Sequence, residues 1–276
     1  MTTHDPPVGR PDAEPGTAEA AASAPSTRSA SDEDRFVRTA MLIGSEGLDK
    51  LRRAFVVVAG LGAVGSYAVE GLARAGVGRL RLVDFDRVRR SNINRQLYAL
   101  ESTLGRLKTE VAAERVRDIN PACRVEPLPI FIGAENAAEL LADRPDVLVD
   151  AIDSLSPKVH LLRAAVTAGV FTISSMGAAT RTDPLAIRVA DLSQTRECPL
   201  ARLIRKRLAR FGIRTGVRCI FSIEPVLSSA RAATPEPHAE TMRRGRPRRP
   251  LGSLSVITGM FGLIAAREAI FEILRK

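Results

Sequence analysis

Between residues 84 and 108 the chain reads DFD-x4-SNINRQ-x11-K. Two carboxylates, Asp84 and Asp86, are followed by Asn92, Asn94, Arg95 and Gln96, and then by Lys108. Cationic groups at this spacing suit a polyanion. Arg95 and Lys108 can neutralise β- and γ-phosphates while Asn92 orients them. Farther on, Asp153 is suited to hold Mg2+. Each charge taken singly reads as a solvated surface residue, so the signal lies in their joint spacing.

Upstream stands the platform that must position them. Gly60, Gly62 and Gly65 follow the apolar run 55–59 at the spacing G-x-G-x-x-G, and a helical pattern comes next. Gly60 permits the tight turn, Gly62 lets a phosphate approach the backbone, and Gly65 lets the helix pack on the strand. The helix N-terminus then offers free N–H groups to phosphate. A second β-run, 80–83, ends in Asp84, about 20 residues beyond the last glycine, where an acid accepts ribose hydroxyls. These features alone suggest NAD. The cluster from 92 to 108 is what a triphosphate needs, and it points to ATP.

The apolar pattern predicts helical segments over 35–50, split near Gly44 and Gly47, and helices over 63–75, 105–119, 135–142 and 157–168. It predicts strands at 55–59, 79–83, 124–127, 147–151 and 170–174. Strands alternating with helices make a doubly wound, mostly parallel α/β sheet, a Rossmann-like fold. Ligands on such sheets sit beyond the carboxyl ends of the strands, where the glycine loop, Asp84 and Asp153 should converge.

The chain has 276 residues, 45% of them hydrophobic and none Trp, enough for a substantial core of Leu, Val, Ile and Ala. Cys123, Cys198 and Cys219 are far apart and form no C-x-x-C pair, which argues against structural zinc and for a reducing compartment, the cytoplasm. His4, His160 and His238 show no metal-ligand spacing. No apolar signal segment opens the sequence. Residues 1–34 carry seven acids and two bases, and they are too polar to order themselves, so they read as a disordered tail. The remainder then carries +15 against a whole-chain charge of +10, a basic body suited to nucleic acid.

Several of these motifs fall into one pattern. R-F-x-R at 35–38, GLGAVGS at 60–66, LVDFD-x-V-x-x-SN-x-NRQ at 82–96, G-x-x-K at 105–108, INP at 119–121 and DAID at 150–153 resemble the ubiquitin-activating E1-like superfamily, which includes ThiF, MoeB and HesA. The resemblance implies an E1-type adenylation fold over residues 35–180 and adenylation of a carboxylate with ATP. It implies that Asp84 is the ribose ligand, and that Gly60, Gly62, Gly65, Asp86, Asn92 and Gln96 complete the nucleotide site. Arg38, Arg95, Lys108 and Asp153 would be the catalytic set. Asp153 would hold Mg2+, and Arg38 would reach the phosphates of a partner subunit, so a homodimer is implied.

The second half departs from the ThiF and MoeB branch, which usually carries two C-x-x-C zinc pairs. SSMGAATRTDP at 174–184, I-x-V-A-D-L-x-x-T at 187–195, PLARLIRKRL at 199–208 and GVRCIFSIEP at 216–225 resemble the tRNA threonylcarbamoyladenosine dehydratase family. That likeness, over about residues 35–275, implies ATP-dependent cyclisation of N6-threonylcarbamoyladenosine (t6A) at tRNA position 37. The substrate carboxylate would be adenylated, and a group within the substrate would then expel AMP, so no protein nucleophile is needed. The alternative is E1-like activation of the C-terminus of a ubiquitin-like or sulfur-carrier protein, with a SufE-like protein or cysteine desulfurase as relay partner. A third reading is a nucleotide-sensing, RNA-binding module without catalysis, against which the catalytic set argues.

Residues 181–276 read as a basic C-terminal extension for substrate binding and dimerisation, with a flexible loop at about 228–250. Leu200, Leu203, Ile204, Leu208 and Phe211 share one helical face; Arg202, Arg205, Lys206, Arg207 and Arg210 supply positive charge for tRNA phosphates. A second basic run, Arg243, Arg244, Arg246, Arg248 and Arg249, sits among prolines and glycine. Cys219 reads as buried and inert rather than as an acyl or sulfur relay, and Cys123 and Cys198 as structural. Residues 250–266 are uncharged over 17 positions, slightly short for a membrane span. The preferred expectation is packing on the fold or on a dimer partner, with membrane association kept open.

Overall fold

Phe55–Ala59 (β1) is buried along its whole length, because both of its faces are covered. Val56 and Val58 enter one core, and Phe55, Val57 and Ala59 enter the other. In the computed structural model, which describes residues 1, 2, 35–227, 229 and 251–276, this strand lies in the interior of a seven-stranded sheet. Its neighbours are β2 (Arg79–Val83) and β4 (Val147–Asp150), both parallel to it. β3 (Arg124–Leu128), β5 (Phe171–Ser175), β6 (Ile187–Asp191) and β7 (Arg218–Ser222) complete the order β3-β2-β1-β4-β5-β7-β6. All pairings are parallel except that of β6 with β7. The chain builds outward from β1 to β3 and then returns to β4, so the topological switch lies between β1 and β4. A crevice at their carboxyl ends is the expected ligand position.

Phe36–Lys276 forms one compact unit. α1 (Val37–Arg53) breaks at Gly44, whose φ of 78° places it outside helical geometry, as the split pattern led us to expect. α2 (Gly65–Ala75), α3 (Lys108–Ile119) and α6 (Ser255–Arg275) pack with α1 into one core against the sheet. On the other side, α4 (Leu155–Thr167) and α5 (Pro199–Leu208) form a second layer, with Leu162, Ile204 and Leu208 fully buried.

α6 accounts for the uncharged stretch. Ile257, Phe261, Ala265, Ala269 and Ile273 are buried in the core, and Gly262 brings the helix backbone against α2, where a Cβ would lie 2.3 Å from Val64 O. Burying Phe261 alone stabilises the fold by about 2–3 kcal/mol. Among the described residues no helix is long and apolar enough to cross a membrane. The apolar pattern of 250–266 is thus explained by core packing, and the membrane expectation finds no support.

Three local expectations are corrected. Residues 135–142 form turns with a short 3-10 segment, Glu139–Leu141, instead of a helix. The backbone closes there in i→i−3 bonds, Leu141 N to Ala138 O and Ala142 N to Glu139 O, both at 3.1 Å, which tighten the turn into a 3-10 segment. α3 begins at Lys108, because Gly105 has φ 80° and Leu107 is extended. Leu203 and Phe211 do not face the core with Ile204; they are 44% and 48% exposed, and Phe211 lies under the Arg163 guanidinium at 4.3 Å. The expectations for residues 3–34, for the loop at 228–250 and for the second basic run lie outside the described residues.

Candidate active site

The glycine loop leaves β1 through Gly60, whose φ is 87° and whose added Cβ would lie 2.8 Å from Ala151 O. A side chain there is excluded both by conformation and by space. Gly65 is tighter: its Cβ would fall 1.7 Å from Gly60 O, so glycine alone lets α2 start against the strand end. Above Gly62 only the Gln96 amide comes near, 3.6 Å from where a Cβ would sit, which leaves the loop approachable from that side. Gly60, Gly62, Gly65 and Gln96 therefore meet at the carboxyl end of β1.

Asp84, at the end of β2, is bound into this loop. Its Oδ2 accepts from Leu61 N at 2.7 Å and its Oδ1 from Asp86 N at 2.8 Å. Burial pushes its carboxyl above the ordinary carboxylate range, against the pull of the Lys108 charge. A half-buried acid that accepts from backbone donors retains lone pairs for hydroxyl donors.

Lys108 stands at the first position of α3. Its Nζ lies 3.0 Å from Asp86 Oδ2, and its side chain is only 5% exposed. Asn92 is buried and holds its own turn, accepting from Arg89 N at 3.1 Å. Arg95 donates through Nη1 to Ser91 O and to Asn94 Oδ1, both at 2.8 Å. Asn94 Nδ2 donates to Ser253 O at 3.2 Å, tying this segment to the start of α6.

Asp153 is exposed just beyond β4, on the other side of the switch point. The structure thus places Asp84, Asp86, Asn92, Arg95, Gln96 and Lys108 beyond β1 and β2, and Asp153 beyond β4. Arg38 is the exception. It is exposed on α1, and no described contact joins it to these residues.

Sequence reasoning missed a pair beneath this site. Asp150 and Lys158 are both fully buried and 2.8 Å apart. In the sequence Asp150 stands out only as part of the DAID motif. The available signal was a lysine in the run KVHLL, on the face that a helix must bury.

The basic helix lies close by. Arg202, Lys206, Arg207 and Arg210 are exposed, while Arg205 is half-buried and committed to Thr195, donating to its carbonyl at 2.7 Å and also to its hydroxyl. Arg207 Nη1 donates to Ser156 Oγ at 3.3 Å, which sets the basic face beside the segment that follows Asp153. Cys123, Cys198 and Cys219 are free and buried. Burial pushes the Cys123 thiol up to about 12 and the Cys219 thiol higher still. Cys198 caps α5, its Sγ accepting from Ala201 N at 3.5 Å.

A parallel sheet with a glycine loop at its switch point, a half-buried acid bonded to that loop and two cations nearby defines a nucleotide-binding α/β protein. The chain belongs to the ThiF family, whose model matches residues 36–276. It is 37% identical over 241 residues to a tRNA threonylcarbamoyladenosine dehydratase of Bacillus subtilis, an overlap of 87% of this chain and 95% of that one. The crystal structure of the Escherichia coli tRNA N6-threonylcarbamoyladenosine dehydratase TcdA in complex with ATP superimposes with a TM-score of 0.80 at 34% identity, covering 90% of this chain and 96% of that one. A sulfur carrier protein adenylyltransferase of Thermus thermophilus is 41% identical over 139 residues, covering 49% of this chain and 51% of that one.

Proposed function

We propose that this chain is an ATP-dependent tRNA-modifying enzyme that dehydrates t6A at position 37 by adenylating its carboxylate. The observation that carries this reading is the match to the dehydratases along nearly the whole of both chains, with α5 and β7 included. The likeness to the sulfur-carrier enzyme covers only half of this chain, so activation of a carrier-protein C-terminus is the weaker reading.

The reaction balances without a protein nucleophile. A carboxylate oxygen of t6A attacks the α-phosphorus of ATP, and the bond to the bridging oxygen breaks to release pyrophosphate. A nitrogen or oxygen of the threonylcarbamoyl group then attacks the activated carbonyl, loses its proton and expels AMP. The oxygen removed from the substrate leaves in AMP. Asp84 orients the ribose, and the glycine loop lets the phosphates approach the N-terminus of α2. Lys108 and Arg95 offset charge as it develops on the phosphates. Asp86 holds Lys108, and Asn92 shapes the turn that presents Arg95.

Asp153 fits Mg2+, which takes one or two carboxylates and leaves its other positions to phosphate oxygens and water. Among the described residues no group of three or more His, Cys, Asp or Glu side chains could hold a metal ion. When bound, Mg2+ would neutralise phosphate charge. We further propose a homodimer in which Arg38 serves the partner's site. Support comes from the exposed apolar side chains Met41 and Leu42 beside Arg38 and from Val256, Leu263 and Phe271 on α6. The exposed cations of α5 would hold tRNA phosphates. A cytoplasmic location follows from the tRNA substrate and the unpaired thiols. Any sulfur-relay partner belongs to the weaker reading.

The test is mass spectrometry of nucleosides from t6A-containing tRNA treated with the protein and Mg·ATP. ATP-dependent loss of one water from t6A supports the reading. Unchanged t6A with ATP–pyrophosphate exchange on a carrier protein would replace it.

A further inference from the structure

Lys158 is fully buried, at 0% exposure, and its partner Asp150 is equally enclosed. Its Nζ lies 2.8 Å from Asp150 Oδ2 and donates to Ile152 O at 2.9 Å. Ser174 Oγ, from the neighbouring strand β5, donates to the same Asp150 oxygen at 2.7 Å. The other oxygen, Oδ1, accepts from Ile152 N at 3.1 Å. Ile152 is therefore held at both backbone groups, its N–H by Asp150 and its carbonyl by Lys158.

The residues on either side give this clamp a direction. Ala151 N donates to Ala59 O at 2.8 Å, and Ala151 O abuts Gly60. Asp153 follows Ile152 directly. The link 151–153 is thus fastened first to the glycine loop and then to the buried pair, and Asp153 projects from a backbone that both define. The loop itself has independent anchors, Gly60 N on Val83 O at 2.8 Å and Leu61 N on Asp84.

A buried ion pair contributes little that well-packed apolar side chains would not, because desolvating both charges offsets their attraction. What an apolar pair cannot do is hold a carbonyl and an N–H in fixed places. We propose that Lys158 is a positioning residue of the adenylation site, its ammonium bridging Asp150 and the Ile152 carbonyl so that Asp153 is held in register with the glycine loop. The inference rests on the adenylation reading. Lys158 is sealed from the crevice and touches no substrate.

The experiment compares wild type with Lys158→Met and with the double variant Asp150→Asn, Lys158→Met. The single variant leaves the Asp150 carboxylate buried without its counter-ion; if it does not fold, the double variant carries the test, and its fold is checked by thermal melting. Calorimetry gives the affinity for AMP, and for ATP with and without Mg2+; turnover of t6A is measured alongside. Loss of support for an outer residue of a metal site typically costs about 10–100-fold in metal affinity or activity. The expected result is a loss of that order in kcat and in the Mg2+-dependent gain in ATP affinity, with AMP affinity held within about threefold.

A folded variant with wild-type kcat and an undiminished Mg2+-dependent gain would overturn the proposal. So would an equal fall in AMP affinity, which would mark general loss of the site. A wild type that binds ATP with a Mg2+-dependent gain but leaves t6A intact would defeat the dehydratase reading instead, and Lys158 would then be judged on binding alone.

Discussion

Lys108 Nζ rests 3.0 Å from Asp86 Oδ2 at the start of α3, with the lysine side chain almost wholly enclosed. In that geometry the ammonium is held in place before any phosphate arrives, so little reorganisation is needed when charge develops. Lys108→Met should lower kcat/KM for ATP by about 10²–10³-fold, the range seen when one preorganised donor is removed. Steady-state kinetics on tRNA substrate will check this. A loss under tenfold would show that Lys108 serves the fold rather than the nucleotide.

Asp84 links function to pH. Its carboxyl is raised by burial above its ordinary 3.8, so the folded state holds the proton more tightly than the unfolded chain does. Its contribution to stability is complete below 3.8 and is lost as pH rises through the raised value. Asp84→Asn lacks this dependence. The difference in Tm between variant and wild type should shift in favour of the variant as pH rises from about 4 to about 7.5. Over the same comparison ATP binding should weaken about tenfold or more, the effect of losing charged hydrogen bonds to ribose. A pH-independent difference in Tm would contradict the raised carboxyl.

The three buried thiols should be inert. Burial disfavours the thiolate at Cys123 and Cys219, and the thiolate is the reactive form. A disulfide reagent should therefore titrate essentially no thiol in the native protein and all three after denaturation. Rapid native labelling of Cys219 would revive a relay role.

On α5 and the turn that follows it, Arg202, Lys206 and Arg210 are exposed, whereas Arg205 is spent on Thr195. Replacing those three by Ala should weaken tRNA binding and reduce the dependence of log K on log salt by about 2–3. Arg205→Ala should act mainly on melting temperature. An unchanged salt slope in the triple variant would place the RNA elsewhere.

Much of this site was legible in residue order because its parts are local. The glycine spacing, the acid that ends β2 and the run SNINRQ each occupy a short stretch whose chemistry does not depend on distant chain. Elements buried on both faces, such as β1 and β4, are also marked plainly by unbroken apolar runs. What stayed hidden depends on tertiary contact. The Asp150–Lys158 pair spans a strand end and a helix, and a lysine in sequence is ordinarily solvated. Arg205 looked like its exposed neighbours until Thr195 was seen beside it. Residues 135–142 carried a helical apolar pattern, yet the backbone closes there in i→i−3 bonds around Glu139–Leu141. The apolar run at 250–266 favoured packing on the fold or a partner but left a membrane open, and its contacts with α2 show core packing.

The most direct test of carboxylate adenylation follows the oxygen. t6A-tRNA carrying 18O in the threonine carboxylate is incubated with the protein and Mg·ATP, and the AMP released is weighed by mass spectrometry. Adenylation predicts one 18O in each AMP formed from a fully labelled carboxylate, in step with loss of water from t6A. Unlabelled AMP alongside dehydrated t6A would contradict it, because the oxygen would then have left by another route.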